Sequence, residues 1–171
     1  MKQGYIMIGV PGSGKSTYIK KIIADSQIDG RSVSAFSLDT CRLAFNDPDW
    51  ASKPPTADAY SKAFDNACVN SKGFDMFVDR VWKDSLEADV VIVDNTNLTR
   101  KARARWVQDL RSKKFSIAAV NVMVPLDVAI ARQKTRGDKI VPESVVRDMY
   151  MRQQEILVPA EADSIIHVRG F

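Results

Sequence analysis

Gly9-Val10-Pro11-Gly12-Ser13-Gly14-Lys15-Ser16-Thr17 follows directly on the apolar run Tyr5-Ile6-Met7-Ile8. The stretch is a complete G-x-x-x-x-G-K-S phosphate-binding loop, in the strand, loop and helix context that gives such a motif meaning. Its glycines let backbone N–H groups around Gly12, Ser13 and Gly14 turn toward phosphate oxygens with no Cβ in the way. The helix that follows aims its positive end at the same oxygens. Lys15 can reach the β- and γ-phosphates, and the Ser16 hydroxyl suits Mg²⁺. The motif predicts ATP or another nucleoside triphosphate as ligand, a magnesium ion and an α/β fold. The bland reading is a chance Gly-rich turn, and strand, full motif and helix together speak against it.

Working outward, four more apolar runs follow the one at residues 5–10, at 33–38, 89–95, 116–124 and 164–169. They read as parallel strands buried on both faces. Helical spacing fills the gaps. Residues 16–25 place Tyr18, Ile19, Ile22 and Ile23 on one face, and 57–70 carry Tyr60, Ala63, Phe64 and Ala67. Phe74, Phe77, Val78, Val81 and Trp82 continue the period after Gly73, and 100–114 turn Ala102, Trp106, Val107 and Leu110 inward. The helix at 126–136 ends at Gly137, a suitable C′ residue, and Pro142 opens another at its first turn. The alternation predicts a P-loop α/β/α domain with a five-stranded parallel sheet and a helical lid over residues 128–145. Residues 46–55, with Pro48, Lys53, Pro54 and Pro55, break the pattern and read as a loop at the site rim.

A chain of 171 residues suits one domain with an ample core. Its 45% hydrophobic and 27% charged content is that of an ordinary globular protein. The net charge of +4 permits a nucleic-acid partner without requiring one. Cys41 and Cys68 fit neither a disulfide framework nor a metal spacing, as expected of reduced cysteines in the cytoplasm. No stretch is long and apolar enough to span a membrane, and the chain enters a strand at once, leaving no room for a signal peptide.

Ligands of open parallel sheets bind beyond the carboxyl ends of the strands. The second strand leads there to Asp39 and Arg42, the third to Asp94-Asn95-Thr96-Asn97. Asp39 reads as the general base for phosphoryl transfer to a hydroxyl, or as the N-cap of a short helix at 40–45; the two roles are compatible. Arg42, one helical turn on, can pair with Asp39, bind an acceptor phosphate or lie on the surface. Asp94 stands where the acidic partner of the magnesium shell belongs, or is a turn residue. Arg132 and Arg136, four apart near a helix end, suit a lid closing over the triphosphate, or a helix C-terminus that offsets their repulsion. The basic run from Arg100 through Arg111 to Lys114 is a solvated helix face or a surface for a nucleic-acid backbone. His167, the single histidine, is read as packed or at a sheet edge.

Taken in order, Gly9 to Thr17, Asp39-x-x-Arg42, Asp94-Asn95-Thr96-Asn97, Arg132-x-x-x-Arg136-Gly137 and Val141-Pro142 resemble the kinase domain of polynucleotide 5′-hydroxyl kinases, closest to the phage end-healing enzymes. The likeness covers nearly the whole chain and is marked over residues 138–150. It implies that Lys15 holds the transferring phosphate, Ser16 binds Mg²⁺, Thr17 assists at the α-phosphate and Asp39 activates the 5′-hydroxyl. It further implies that Arg42 grips the phosphate 3′ of the terminal nucleoside. Arg136 would be the lid arginine with Arg132 as helper, and Val141, Pro142 and Val145 would flank the terminal base. Asn95 stands at an acceptor-side position where the phage enzymes carry an acidic residue; the Asp-Asn-Thr-Asn form is closer to the animal enzymes. No Asp-x-Asp-x-Thr motif is present, so phosphatase activity is not expected. The expected partner is a DNA or RNA 5′ end, single-stranded, with the enzyme in the cytoplasm, that of a host cell if phage-encoded. A P-loop kinase of a small hydroxylated metabolite, or a nucleotide switch that transfers nothing, remains open beside this reading.

Overall fold

The computed structural model describes residues 1–52, 54–137 and 139–170. Lys53 in the Pro-rich segment and Asp138 at the head of the 138–150 stretch lie outside the described residues, as does the terminal Phe171. Five strands, β1 (Gln3–Ile8), β2 (Val33–Phe36), β3 (Val90–Val93), β4 (Ser116–Met123) and β5 (Ser164–Arg169), form one sheet in the order β2-β3-β1-β4-β5. Every pairing is parallel. Among the described residues seven helices accompany them: α1 (Lys15–Ile28), α2 (Leu38–Asn46), α3 (Ala57–Val69), α4 (Ser71–Ser85), α5 (Arg100–Ser112), α6 (Leu126–Lys134) and α7 (Glu143–Met151). The fold is that of a P-loop kinase-like α/β/α protein, as the alternation of apolar runs and helical periods predicts.

The period of two along the strands sorts side chains to two faces. Ile6, Ile8, Val91 and Val93 join Phe36, Trp82, Trp106 and Leu110 under α4 and α5. Met7, Val90, Ile92, Val120 and Val122 meet Ile19 and Ile22 of α1 on the other face. Val90 to Val93 are wholly buried, which is why β3 reads as an unbroken apolar run. Trp82 meets Phe36 and Trp106 edge to face and Phe36 is tilted against Trp106, with ring centres 4.9–5.1 Å apart. A third cluster, Val10, Leu98, Val124, Ala129, Ile130 and Val146, seats α6 and α7 over the carboxyl end of the sheet. No helix among the described residues is long and apolar enough to cross a membrane.

Several boundaries differ from the apolar pattern, for identifiable reasons. α1 runs past residue 25 to Ile28 and stops at Gly30, whose φ of 67° only glycine adopts freely. β2 ends at Phe36 and β3 at Val93, because the chain turns once both ladders run out at the Phe36–Val93 pair. α5 buries Arg103 rather than Ala102, since a carboxylate waits in the core at that position. α6 ends at Lys134 with Thr135 in the right-handed region; Gly137 does not take a positive φ and is no C′ glycine. Pro142 is the N-cap of α7, one position before the first turn. Residues 50–52 of the Pro-rich loop form a short 3-10 turn. Cys41 is buried and Cys68 exposed, both as free thiols, and His167 is exposed on the edge strand β5.

Candidate functional site

Register aligns the strand ends. Ile6 and Phe36 both pair with Val93, so the P-loop, Ser37 to Asp39 and Asp94 to Asn97 leave the sheet at one level. The P-loop is tied across by Gly9 N, which donates to Thr96 O at 3.1 Å. Gly12 has a φ of 82°, and a Cβ there would lie 2.5 Å from Ala129 O of α6. Gly14 is the left-handed N-cap of α1 at φ 98°. Ser13 is wholly buried, its own N–H donates to Val10 O at 3.2 Å, and it is not among the residues that line the cavity.

Lys15 Nζ donates to Gly9 O at 2.7 Å and Val10 O at 3.1 Å, within the loop it serves. Burial pulls its pKa down to about 8; Lys139 and Arg136 push the same way, Asp94 and Asp39 the other. The Asp94 carboxyl is raised above its usual range, chiefly by burial and by repulsion from Asp39, with Lys15, Lys139 and Arg136 opposing. Lys15 and Asp94 therefore lie in each other's field. No cluster of three or more His, Cys, Asp or Glu side chains able to hold a metal occurs among the described residues. A magnesium ion needs less here: it takes one or two protein oxygens and fills its shell with phosphate and water. The Ser16 hydroxyl and the Asp94 carboxylate, both lining the cavity, fit that donor set. A divalent cation would also relieve the buried charge of Asp94.

The cavity over these residues measures about 870 Å³. Thr17, Arg132, Arg136, Asp39, Asn95 and Val141 all line it, Val141 beside α6 through its N–H to Gln133. Its charged lining is Lys15, Lys21, Arg132, Arg136, Lys139 and Arg169 against Asp39 and Asp94. Arg132 Nη1 donates to Gly12 O at 3.3 Å, tying α6 to the P-loop. Arg136 lies past the end of α6, so the two arginines meet in the cavity without sharing a helix face.

Asp39 is neither a strand tip nor a helix cap. Ser37 takes the extended N-cap position, and Asp39 belongs to the first turn of α2, where a carboxylate suits the helix dipole. Its Oδ1 accepts from Arg42 Nη1 at 2.9 Å. The Arg42 guanidinium in turn lies 5.3 Å from the Phe64 ring centre and 5.8 Å from that of Phe74. Arg42 thus faces Asp39 and two rings, and it is not part of the cavity wall. Pro142 and Val145 are exposed at the start of α7 and also outside that wall, whereas Val141 is within it. Asn95 caps α2 from across the sheet: its Oδ1 accepts from Leu38 N at 3.0 Å, and its buried Nδ2 has no hydrogen-bond partner among the described residues. Asn97, at φ 48°, sends Nδ2 to Met7 O at 2.8 Å and locks the turn after β3.

Pattern reading passed over Lys139, which forms an ion pair with Asp39 Oδ2 and stands 5.4 Å from the Tyr60 ring centre. No local motif marks it, because its partner lies 100 residues earlier in the chain. It also passed over Gln133, buried in the cavity wall, whose Oε1 accepts from Val141 N at 3.3 Å. The basic run on α5 is largely spent on carboxylates. Arg103 pairs with Glu161, Arg105 with Asp79, Arg111 with Asp163 and Lys113 with Glu87. It is a paired helix face, and its charge is not gathered toward the cavity.

Residues 5–156 match the model of a family described as an AAA domain. Among solved structures, the chain is similar to Kti12 from Chaetomium thermophilum in complex with ADP-AlF3, with a TM-score of 0.64 and 14% identity over 97% of this chain and 88% of that one. It is similar to a gluconokinase from Sinorhizobium meliloti 1021, with a TM-score of 0.55 and 17% identity over 98% and 82%. A sugar kinase from Janibacter sp. HTCC2649 gives 0.54 and 17% over 99% and 86%. At such identities the likeness establishes the shared fold.

Proposed function

We propose, from the premise that the chain belongs to the AAA-domain family, that it is an ATP- and Mg²⁺-dependent kinase of nucleic-acid 5′-hydroxyl ends. The observation that carries the reading is Asp39, a carboxylate in the same cavity wall as the P-loop lysine and Asp94 and within their electrostatic reach. In the reaction, the acceptor O–H proton passes to Asp39 while its oxygen bonds to the γ-phosphorus. The bond from that phosphorus to the β,γ-bridging oxygen breaks, and ADP leaves with the electron pair. Lys15 and Arg136 balance the charge spread over the transferring oxygens. Arg42 orients Asp39 through its Oδ1. Bound through Ser16 and Asp94, Mg²⁺ would neutralise phosphate charge. The donor and its leaving group are fixed by the P-loop, so catalysis is mainly positioning and electrostatics.

The excess of cations around the cavity favours an acceptor that is itself anionic, and the ordered resemblance of Asp39-x-x-Arg42 through Val141-Pro142 to polynucleotide kinases names the class. Contacts to phosphate and terminal nucleoside make the grip sequence-tolerant and salt-sensitive. The likeness to a gluconokinase and a sugar kinase favours a second reading, a small hydroxylated acceptor. A salt titration separates them. Phosphorylation of a 5′-hydroxyl oligonucleotide by ATP should fall steeply as KCl rises, through loss of acceptor affinity. No transfer to the oligonucleotide at low salt would overturn the first reading.

A further inference from the structure

We propose that Lys139 couples acceptor arrival to release of the base: it holds Asp39 until an acceptor phosphate draws its ammonium away. The inference rests on Asp39 acting as base and deepens that reading. Both oxygens of the Asp39 carboxylate are engaged by cations, Oδ1 by Arg42 and Oδ2 by Lys139. With a cation on each oxygen, the carboxylate is already engaged on both sides when an acceptor hydroxyl arrives. For Asp39 to take a proton, one cation must move. Arg42 is the less free of the two, with two aromatic rings against its guanidinium. Lys139 keeps 29% of its side chain exposed and hangs from the segment between α6 and α7 that also carries Arg136. Its ammonium is a point charge on a flexible stem, able to pass from a carboxylate to a phosphate without a fixed geometry.

The placement is directional. Asp39 and Tyr60 belong to α2 and α3, on the wall opposite the α6–α7 segment, so the Lys139 contacts bridge the cavity. An incoming 5′ end would enter between these walls and present its first backbone phosphate to the same ammonium. Until then Lys139 occupies Oδ2 of Asp39, whose side chain otherwise keeps 40% of its surface exposed. Removing it would let water serve as nucleophile: its proton passes to Asp39, its oxygen bonds to the γ-phosphorus, and the bridging P–O bond breaks to give ADP and inorganic phosphate. Lys139 thus raises acceptor affinity and suppresses waste of ATP through one contact.

The test compares wild type, Lys139→Ala and Lys139→Arg for KM and kcat with a 5′-hydroxyl oligonucleotide, KM for ATP, and ATP hydrolysis without acceptor. Lys139→Ala should raise the oligonucleotide KM about tenfold, the effect of one charge-assisted hydrogen bond, with the ATP KM nearly unchanged. It should raise acceptor-free hydrolysis about tenfold or more, as a freed base allows. Lys139→Arg, which keeps the cation, should restore the suppression. Should the alanine variant unfold, Lys139→Gln keeps the stem without the charge and should give the same shifts. Unchanged acceptor-free hydrolysis in the neutral variants overturns the proposal, as does a fall in kcat with no change in oligonucleotide KM. If wild type transfers nothing to oligonucleotides, the acceptor reading fails separately, and the hydrolysis arm still decides whether Lys139 restrains Asp39.

Discussion

Arg103→Met should cost this protein much of its stability and loosen the turn that carries the site. Arg103 is 1% exposed and sits among six acceptors. Its Nε and Nη2 grip the two Glu161 oxygens at 2.8 and 3.0 Å. Its Nη1 donates to Asn97 O at 3.0 Å and Leu98 O at 3.2 Å, and Nη2 to Glu155 O at 3.0 Å. Methionine fills the stem's volume and leaves Glu161, 13% exposed, without its guanidinium partner. Breaking a buried pair from one side costs about 3–5 kcal/mol. That is a large part of the roughly 5–15 kcal/mol that holds a domain together. At about 2–4 °C per kcal/mol for a chain of this size, Tm should fall by about 6–20 °C. Urea unfolding followed by tryptophan fluorescence measures the loss at constant m-value. Adding Glu161→Gln should recover a good part of it, because the stranded charge goes too. Burial raises the Glu161 carboxyl, but the bonds from Arg103 and Leu157 N outweigh it and hold it below its ordinary value. The ionised pair therefore stabilises above about pH 4.5 and is lost as pH falls through the lower folded value. A loss below about 1 kcal/mol in Arg103→Met, or no recovery in the double variant, would refute the reasoning.

Three further outcomes follow from the site. Asp39→Asn should lower transfer by about 10²–10⁴-fold with ATP affinity nearly intact, read from steady-state kinetics and ATP titration; full transfer would remove the base assignment. Since the Lys15 ammonium has its pKa pulled down to about 8, kcat/KM for ATP should fall as pH rises through that value. Lys15→Arg should abolish that limb, because a guanidinium stays charged. Gly12→Ala should weaken ATP binding severely, since its Cβ would press on Ala129 O at 2.5 Å in a left-handed backbone; isothermal titration beside wild type measures it.

What could be seen in the chain beforehand was local. The P-loop announces itself because its glycines, lysine and serine act within nine consecutive residues, Gly9 to Thr17. The strands do so because β3 is buried on both faces and cannot afford a polar residue until Asp94. Asp39 and Arg42 were legible as neighbours one helical turn apart, and they bond as such. Distant partners erased the remaining cues. Arg103 looks like one more cation in a basic run until Glu161 arrives from the far end of the chain. Asn95 resembles a ligand residue, yet one end of its amide is spent capping α2. Lys139 has no spacing to betray it, and only the closing of α6 and α7 over the sheet brings it to Asp39.

The acceptor decides the central claim. The most direct measurement offers γ-labelled ATP and Mg²⁺ to the protein with a 5′-hydroxyl oligonucleotide and a panel of sugars and sugar acids in one vessel. Label on the oligonucleotide's 5′ end, lost in Asp39→Asn, is the expected result. Label on a sugar or sugar acid with none on the oligonucleotide would contradict it.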